Sequence, residues 1–433
     1  MRTLITTLTG AGDATVPSTV RADVAVIGGG VIGHGIAWEV QHSGRSVVLI
    51  DDAPGTGASW AAAGMLAPVS ELHYQEEDLL ELMLEASSRW PGFAAGVAGA
   101  TGADSGYLTT PTLAVGADAA DRRALMDLRT VQQASGLAVE PLTVREARKR
   151  EPLLSPAIAC ALETPADHQV DPRRLVAALR LALAGAVRDK PELAVAGAVD
   201  GYAVPERAAG LLWEGGKVAG ARLASGGAVL AAETVVANGL QAGALGGLPA
   251  GLELPLRPVH GDILRLAVPR HLQPLVTATV RGLVHGIPVY IVPRQDGTVV
   301  VGATQREDAL SDAVSAGGVY QLLRDAQALV PAVAELELLE CTARARPGTP
   351  DNAPLLGRVP VAPGSGGEGA GHIPGLIIAT GFFRHGVLLT PAAAAICREL
   401  LDGKADPRWA PFRPDRFSRP STAATSPHTK ETA

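Results

Sequence analysis

The chain has 433 residues, of which 47% are hydrophobic and 19% charged, with a formal net charge of −7. This is a globular composition, long enough for two domains. The acidic balance excludes a binder of the nucleic-acid backbone, which needs clustered basic charge. Cys160, Cys341 and Cys397 lie far apart without metal-ligand spacing, which excludes a disulfide scaffold or a zinc site.

Residues 1–20 are polar, carry no sustained apolar run and are expected to be a disordered N-terminus without a signal peptide. The stretch "DVAVIG" then gives a short continuous apolar strand of the kind buried on both faces. It runs through "GGGVIGHG" into a helix with Ile36, Ala37 and Val40 on one face, stopped by Gly44. "SVVLID" is a second strand, so the segment is a complete β-α-β unit. In its GxGxxG pattern Gly28 permits the tight turn and Gly30 lets backbone approach a pyrophosphate. Gly33 lets helix and strand pack closely. Asp51, at the end of the second strand, falls where an acid binds the adenosine ribose hydroxyls and argues against NADP. NAD and FAD fit this segment equally. His34, inside the turn, is expected to face solvent.

Further along, "GASWAAAGMLAP" (57–68) has seven Gly or Ala in twelve residues, so its backbone can approach a flat ligand. Thr143 and Glu146 have capping-box spacing. Asp171 and Pro172 form an N-cap and N1 pair ahead of a helix that is too short and, with Arg180, too polar to span a bilayer. "VYIVPRQDGTVVVGAT" alternates around a Gln-Asp-Gly turn, the pattern of a hairpin in an antiparallel sheet. "GSGGEGAG" (364–371) is expected to be a flexible loop before a last strand, "GLIIATG". Thr390 and Pro391 are expected to open the final helix and Gly403 to end it, with a disordered tail over 411–433. The fold class is α/β plus an antiparallel sheet: a Rossmann-like nucleotide domain and a sheet-based substrate domain.

Six stretches, in order from residue 24 to about 400, carry a resemblance: "VIGGGVIGHGIAWEV", "GASWAAAGMLAP", "HQVDPRRLVAAL", "VYIVPRQDGTVVVGAT", "RARPGTPDNAPLLG" and "ATGFFRHGVLLTP". Together they resemble the glycine oxidases of thiamine biosynthesis, within the D-amino-acid oxidase and sarcosine oxidase group. The resemblance implies a discontinuous FAD-binding domain (21–70, 155–250 and 345–410) and a substrate domain of D-amino-acid oxidase type (71–154 and 251–344). It implies a non-covalent FAD rather than one attached to a cysteine such as Cys341. Gly28, Gly30, Val31, Ile32, Gly33, Asp51 and Asp52 would hold the nucleotide end. Ala58, Ser59, Ala63, Gly64 and Met65 would line pyrophosphate and flavin. Phe382, Phe383, Arg384, His385, Gly386, Val387 and Leu388 would approach from the C-terminal side, with the role of the Arg384 side chain open.

An α-amino-acid oxidase needs little acid–base machinery; its main task is to fix the carboxylate so that the α-hydrogen faces the flavin. Arg346 matches the family's carboxylate-binding arginine and Tyr290 a tyrosine that helps it. Arg344 is expected on the opposite side of a strand, and His260 as a satisfied structural histidine. Pro288, where some relatives carry a polar residue, bears on the shape of the pocket. The implied reaction is oxidation of glycine by O₂ to the imine, then glyoxylate and ammonia, with H₂O₂. No metal is expected. Without clustered basic charge, a spanning segment or a targeting signal, a cytoplasmic protein that binds neither nucleic acid nor membrane is expected, and the resemblance further implies a homo-oligomer with a functional link to thiazole synthase. The alternatives are a sarcosine or D-amino-acid oxidase or dehydrogenase of the same fold, an FAD-binding subunit serving a partner, and an NAD dehydrogenase.

Overall fold

The computed structural model describes residues 19–74, 76–307, 312–361 and 371–418. Of the expected loop at 364–371 all but Gly371, together with the tail beyond 418 and residues 1–18, lies outside the described residues. Two eight-stranded sheets organise the rest. In the first, five strands run parallel in the order His372–Thr380, Ala228–Val236, Thr19–Ile27, Val47–Ile50 and Ala203–Val204. The alternation along Thr19–Ile27 decides which side chain goes where. Val24 and Val26 enter one core and Ala25 and Ile27 another, so both faces are buried.

Four helices cover the Val24 face: Val31–His42, Glu77–Thr101, Pro172–Asp189 and Gly386–Leu401. The first and last pack closely because Gly35 has no side chain; a Cβ there would stand 2.5 Å from Thr390 Cγ2. Asp171 caps its helix as expected, accepting from Arg173 N at 2.9 Å. Thr143 and Glu146 form the expected capping box. Gly44 and Gly403, both at positive φ, follow the ends of their helices.

The second sheet is antiparallel apart from the parallel junction of Thr112–Gly116 with Thr279–Val284. The expected hairpin is Ile287–Pro293 with Thr298–Gly302, turned at Gly297 with φ +81°. Strand Arg257–Ala267 pairs with Thr298–Gly302 on one side and with the edge strand Glu337–Gly348 on the other.

Several expectations are corrected. The final helix starts at Gly386, one turn before Pro391, and Thr390 Oγ1 bonds back to Gly386 O at 2.8 Å. Burial of Val387, Leu388 and Leu389 in the core outweighs the one backbone hydrogen bond that proline forfeits. Thr19 and Val20 already belong to the first strand. The ordered chain continues past residue 411: Phe412 is 1% exposed, and Arg416 reaches Asp351 at 2.9 Å. The helix Glu77–Thr101, expected with the substrate domain, sends Leu79, Leu82, Met83 and Trp90 into the core of the parallel sheet. Conversely Cys160–Thr164, expected with the nucleotide domain, is a strand of the antiparallel sheet.

Candidate functional site

The glycine turn is built for close approach. Gly28 has φ +110°, and a Cβ there would stand 2.5 Å from the Ala237 carbonyl oxygen. A Cβ on Gly33 would overlap the Gly28 carbonyl oxygen. Gly30 differs: it is the helix N-cap with φ −73°, and its Cβ would meet only Ser59 Oγ at 3.4 Å. The protein itself does not demand glycine at Gly30, so its missing side chain leaves the backbone open to a ligand. Gly30 also gives no side-chain cap, which leaves the start of the helix open to an anion. Ser59 Oγ accepts from Val31 N at 2.9 Å. Asp51 accepts from Ala53 N at 2.7 Å and from Gly29 N at 2.5 Å. A carboxylate offers about four acceptor sites, so two remain for ribose hydroxyls. Asp52 is exposed beside it. These residues fit a dinucleotide.

His34 does not face solvent. It is 1% exposed, with Nδ1 3.0 Å from Gly30 O, and burial pushes its pKa down to about 4. The imidazole is therefore a neutral brace inside the turn.

The second part of the site lies where the 57–68 segment meets the antiparallel sheet. Ala61 and Ala63 pack with Ile263, Val292 and Val300, and Met65 and Tyr290 border the same cluster. Gly64, at φ +75°, is pressed against Val170, whose N–H donates to Gly64 O at 2.9 Å. Residues expected to touch a cofactor and residues expected to touch a substrate thus share one sheet face.

Arg346 stands on this face. Its guanidinium lies over Gly261, where a Cβ would overlap it, and beside the Tyr290 hydroxyl, which itself lies over Gly302. Burial pushes the Tyr290 hydroxyl up to about 12, against the opposing pull of Arg346, so it stays a hydrogen-bond donor. Among the described residues no carboxylate pairs with Arg346, whereas Arg281 pairs with Glu71 at 2.6 Å and Arg384 pairs with Glu76. A guanidinium that no carboxylate neutralises, beside a neutral phenol, has the chemistry to receive a carboxylate. Arg344 is corrected: two residues from Arg346 along a strand, it shares the same face, and it donates to Thr56 O at 3.0 Å. Pro288 also lies two residues from Tyr290, on an exposed stretch of its strand.

The C-terminal stretch divides by side chain. Phe382, Val387 and Leu388 belong to the helical core, and the Leu388 carbonyl accepts from Trp90 Nε1 at 2.8 Å. The guanidiniums of Arg257 and Arg384 lie 5.6 and 5.3 Å from the centre of the Phe383 ring. Arg384 turns to Glu76, which also accepts from Asn352 Nδ2 at 3.1 Å. His385 is buried with Nδ1 3.3 Å from Glu71 Oε2; burial, with Arg384, pushes its pKa down to about 3. Burial raises the Glu71 carboxyl, but Arg281, His385 and Arg384 together outweigh it and hold it below the usual range. His260 is corrected too: it is 7% exposed, yet its Nδ1 has no hydrogen-bond partner among the described residues. Its backbone, bonded both ways to Arg306, fixes it on the strand.

Sequence reasoning missed Glu71, Glu76, Arg281 and Arg294. The first two sit in the polar run "ELHYQEED", where nothing marks burial; Arg294 was visible in "YIVPR" but only as part of a hairpin. Among the described residues no group of three or more His, Cys, Asp or Glu could hold a metal ion, and no helix is long and apolar enough to cross a membrane.

A nucleotide turn on a parallel sheet, together with an arginine–tyrosine pair on an antiparallel one, fits a flavin-dependent oxidoreductase. Residues 23–400 match the DAO family model, FAD dependent oxidoreductase, and the chain belongs to that family. It is an enzyme, and FAD is its cofactor. It is 33% identical over 388 residues to a glycine oxidase of Geobacillus kaustophilus, covering 89% of this chain and 94% of that one. It is 30% identical to the bifunctional protein ThiO/ThiG of Trichormus variabilis, covering 94% of this chain but 56% of that longer protein. The crystal structure of the Geobacillus kaustophilus glycine oxidase superposes with a TM-score of 0.78 at 31% identity, over 92% of this chain and 99% of that one.

Proposed function

We propose that this enzyme oxidises glycine. Glycine gives up two electrons and two protons to become the imine, O₂ takes them up as H₂O₂, and water hydrolyses the imine to glyoxylate and ammonia. When bound, FAD supplies the acceptor for the α-hydrogen. Gly28, Gly30, Gly33, Asp51 and Ser59 would hold its nucleotide end, and the Ala63–Met65 backbone would line the flavin end.

The observation that carries the reading is Arg346 beside Tyr290, with no carboxylate partner among the described residues, on the face packed against Ala63 and Met65. Arg346 grips the substrate carboxylate in two parallel N–H bonds, and the neutral Tyr290 hydroxyl donates a third. With the carboxylate fixed and the apolar cluster excluding water, the α-carbon is aimed at the flavin segment. Gly261 and Gly302 leave the space that the arginine and tyrosine side chains fill. Covalent flavin attachment through Cys341 is not part of this reading. Cys341 is five residues from Arg346 on the same strand and so projects from the opposite face.

The relatives extend the reading. The fused name ThiO/ThiG supports a functional link to a thiazole synthase, with the imine or glyoxylate passed onward. We also read the protein as cytoplasmic and homo-oligomeric. Anaerobic addition of glycine, sarcosine and D-alanine to the yellow protein tests the substrate assignment. Fastest bleaching by glycine supports it, and bleaching by sarcosine or D-alanine alone reassigns the amine.

A further inference from the structure

Arg294 is a deeply enclosed cation near the site. Its side chain is 4% exposed, and burial draws its pKa down to about 10 against the opposing pull of Asp171. It follows the strand Ile287–Pro293 in the alternation that places Tyr290 and Val292 on the sheet face under Ala63. Yet its polar partners all come from elsewhere in the chain. Its Nη2 donates to Ala63 O. Its Nη1 donates to Gln169 Oε1 at 3.1 Å and to Val170 O at 3.2 Å, and its Nε lies 3.8 Å from Asp171 Oδ2. Those two segments are themselves joined, Met65 pairing with Gln169 and Leu66 with His168.

The apolar contacts of Ala61 and Ala63 with Ile263, Val292 and Val300 hold the segment against the sheet. Hydrophobic contact is non-directional and does not fix position along the sheet. A guanidinium fork bonded to both segments does, since hydrogen bonds are directional. We propose that Arg294 is a positioning residue that locks the Ala63–Leu66 backbone in register with Tyr290, and so sets the distance between flavin and bound substrate. The proposal rests on the flavin-lining role given to Ala63–Met65 above.

The test uses the full chain loaded with FAD and the variants Arg294→Met and Arg294→Lys. In Arg294→Met, amide exchange over 61–66 should speed up about tenfold while that of Thr19–Ile27 stays unchanged. FAD affinity should fall about tenfold. The rate of anaerobic reduction by glycine should fall about tenfold while KM changes by less than about threefold, because the carboxylate grip is intact. Arg294→Lys restores the charge but not the fork and should recover part of each effect. If Arg294→Met does not fold, the lysine variant alone decides by the same local exchange. Unchanged exchange over 61–66 in a folded variant overturns the tether, even if thermal stability drops. Faster exchange with unchanged FAD affinity overturns the flavin-lining role and leaves the tether. A wild type that glycine does not reduce leaves exchange and affinity as independent readouts, so failure of the substrate assignment stays distinguishable.

Discussion

The glycine turn and the Arg346–Tyr290 face solve different problems in different ways. The turn is mostly local: Gly28, Gly30, Gly33, His34 and Asp51 fall within one β-α-β unit, with Gly33 pressed on the Gly28 carbonyl, and only Gly28 is also confined from afar, by Ala237. The sheet face is assembled at long range. Tyr290 and Arg346 come from separate strands, bridged by Arg257–Ala267 and Thr298–Gly302, and Ala63 arrives from the other sheet's side of the molecule. In the proposed reading the first binds by exposing backbone, whereas the second binds through Arg346, which has no carboxylate partner among the described residues.

The strongest way to break this contrast is to remove that guanidinium. Arg346→Leu should lower kcat/KM for glycine by about 100-fold, or about 3 kcal/mol, and leave FAD bound. Steady-state kinetics on the yellow variant check this, and unchanged kinetics would remove Arg346 from the site. Gly33→Ala attacks the other region by forcing a methyl group into the Gly28 carbonyl. Thermal unfolding should register a loss of about 3 kcal/mol even without FAD. Gly30→Ala sharpens the comparison, because its methyl group meets little protein. FAD affinity measured by titration should fall about tenfold while apo stability changes by less than about 0.5 kcal/mol. Equal losses in both quantities would mean that Gly30 serves folding alone. Tyr290→Phe deletes one donor and should raise KM for glycine about tenfold, or about 1.4 kcal/mol.

The smallest effect concerns pH. His34, with its folded pKa pushed down from 6.5 to about 4, stays neutral while the unfolded chain takes up a proton. The unfolded state binds more protons, so stability rises with pH and is lost as pH falls below the unfolded value. Between about pH 6.5 and 5.5 this one residue should cost about 1 kcal/mol. His34→Gln should remove that increment from the pH slope of the unfolding free energy, and an unaltered slope would contradict the burial of a neutral ring.

Legibility in the sequence follows the same division. The strand–glycine–helix–strand–acid order and the Gln-Asp-Gly hairpin were readable because period, glycine spacing and turn chemistry are short-range signals. The start of the final helix was misread at Thr390–Pro391, because burial of Val387–Leu389 is a tertiary effect that no local cap announces. His34 was misread for a similar reason: its ring folds back onto Gly30 O under helices that arrive from elsewhere in the chain. The carboxylate pairs Glu71–Arg281 and Glu76–Arg384 were invisible, since each joins residues more than 200 positions apart in the chain. Arg346 and Tyr290 stood out through family resemblance alone; in composition they are one arginine and one tyrosine among others.

The most direct test of the account is stopped-flow anaerobic reduction of the FAD-loaded protein by glycine, wild type beside Arg346→Leu. The account predicts rapid bleaching of the wild-type flavin. It also predicts a variant that remains yellow, binds FAD normally and reaches comparable rates only at roughly 100-fold higher glycine. A variant reduced as readily as wild type, at the same glycine concentrations, would contradict the claim that the Arg346 guanidinium on the sheet face receives the substrate carboxylate.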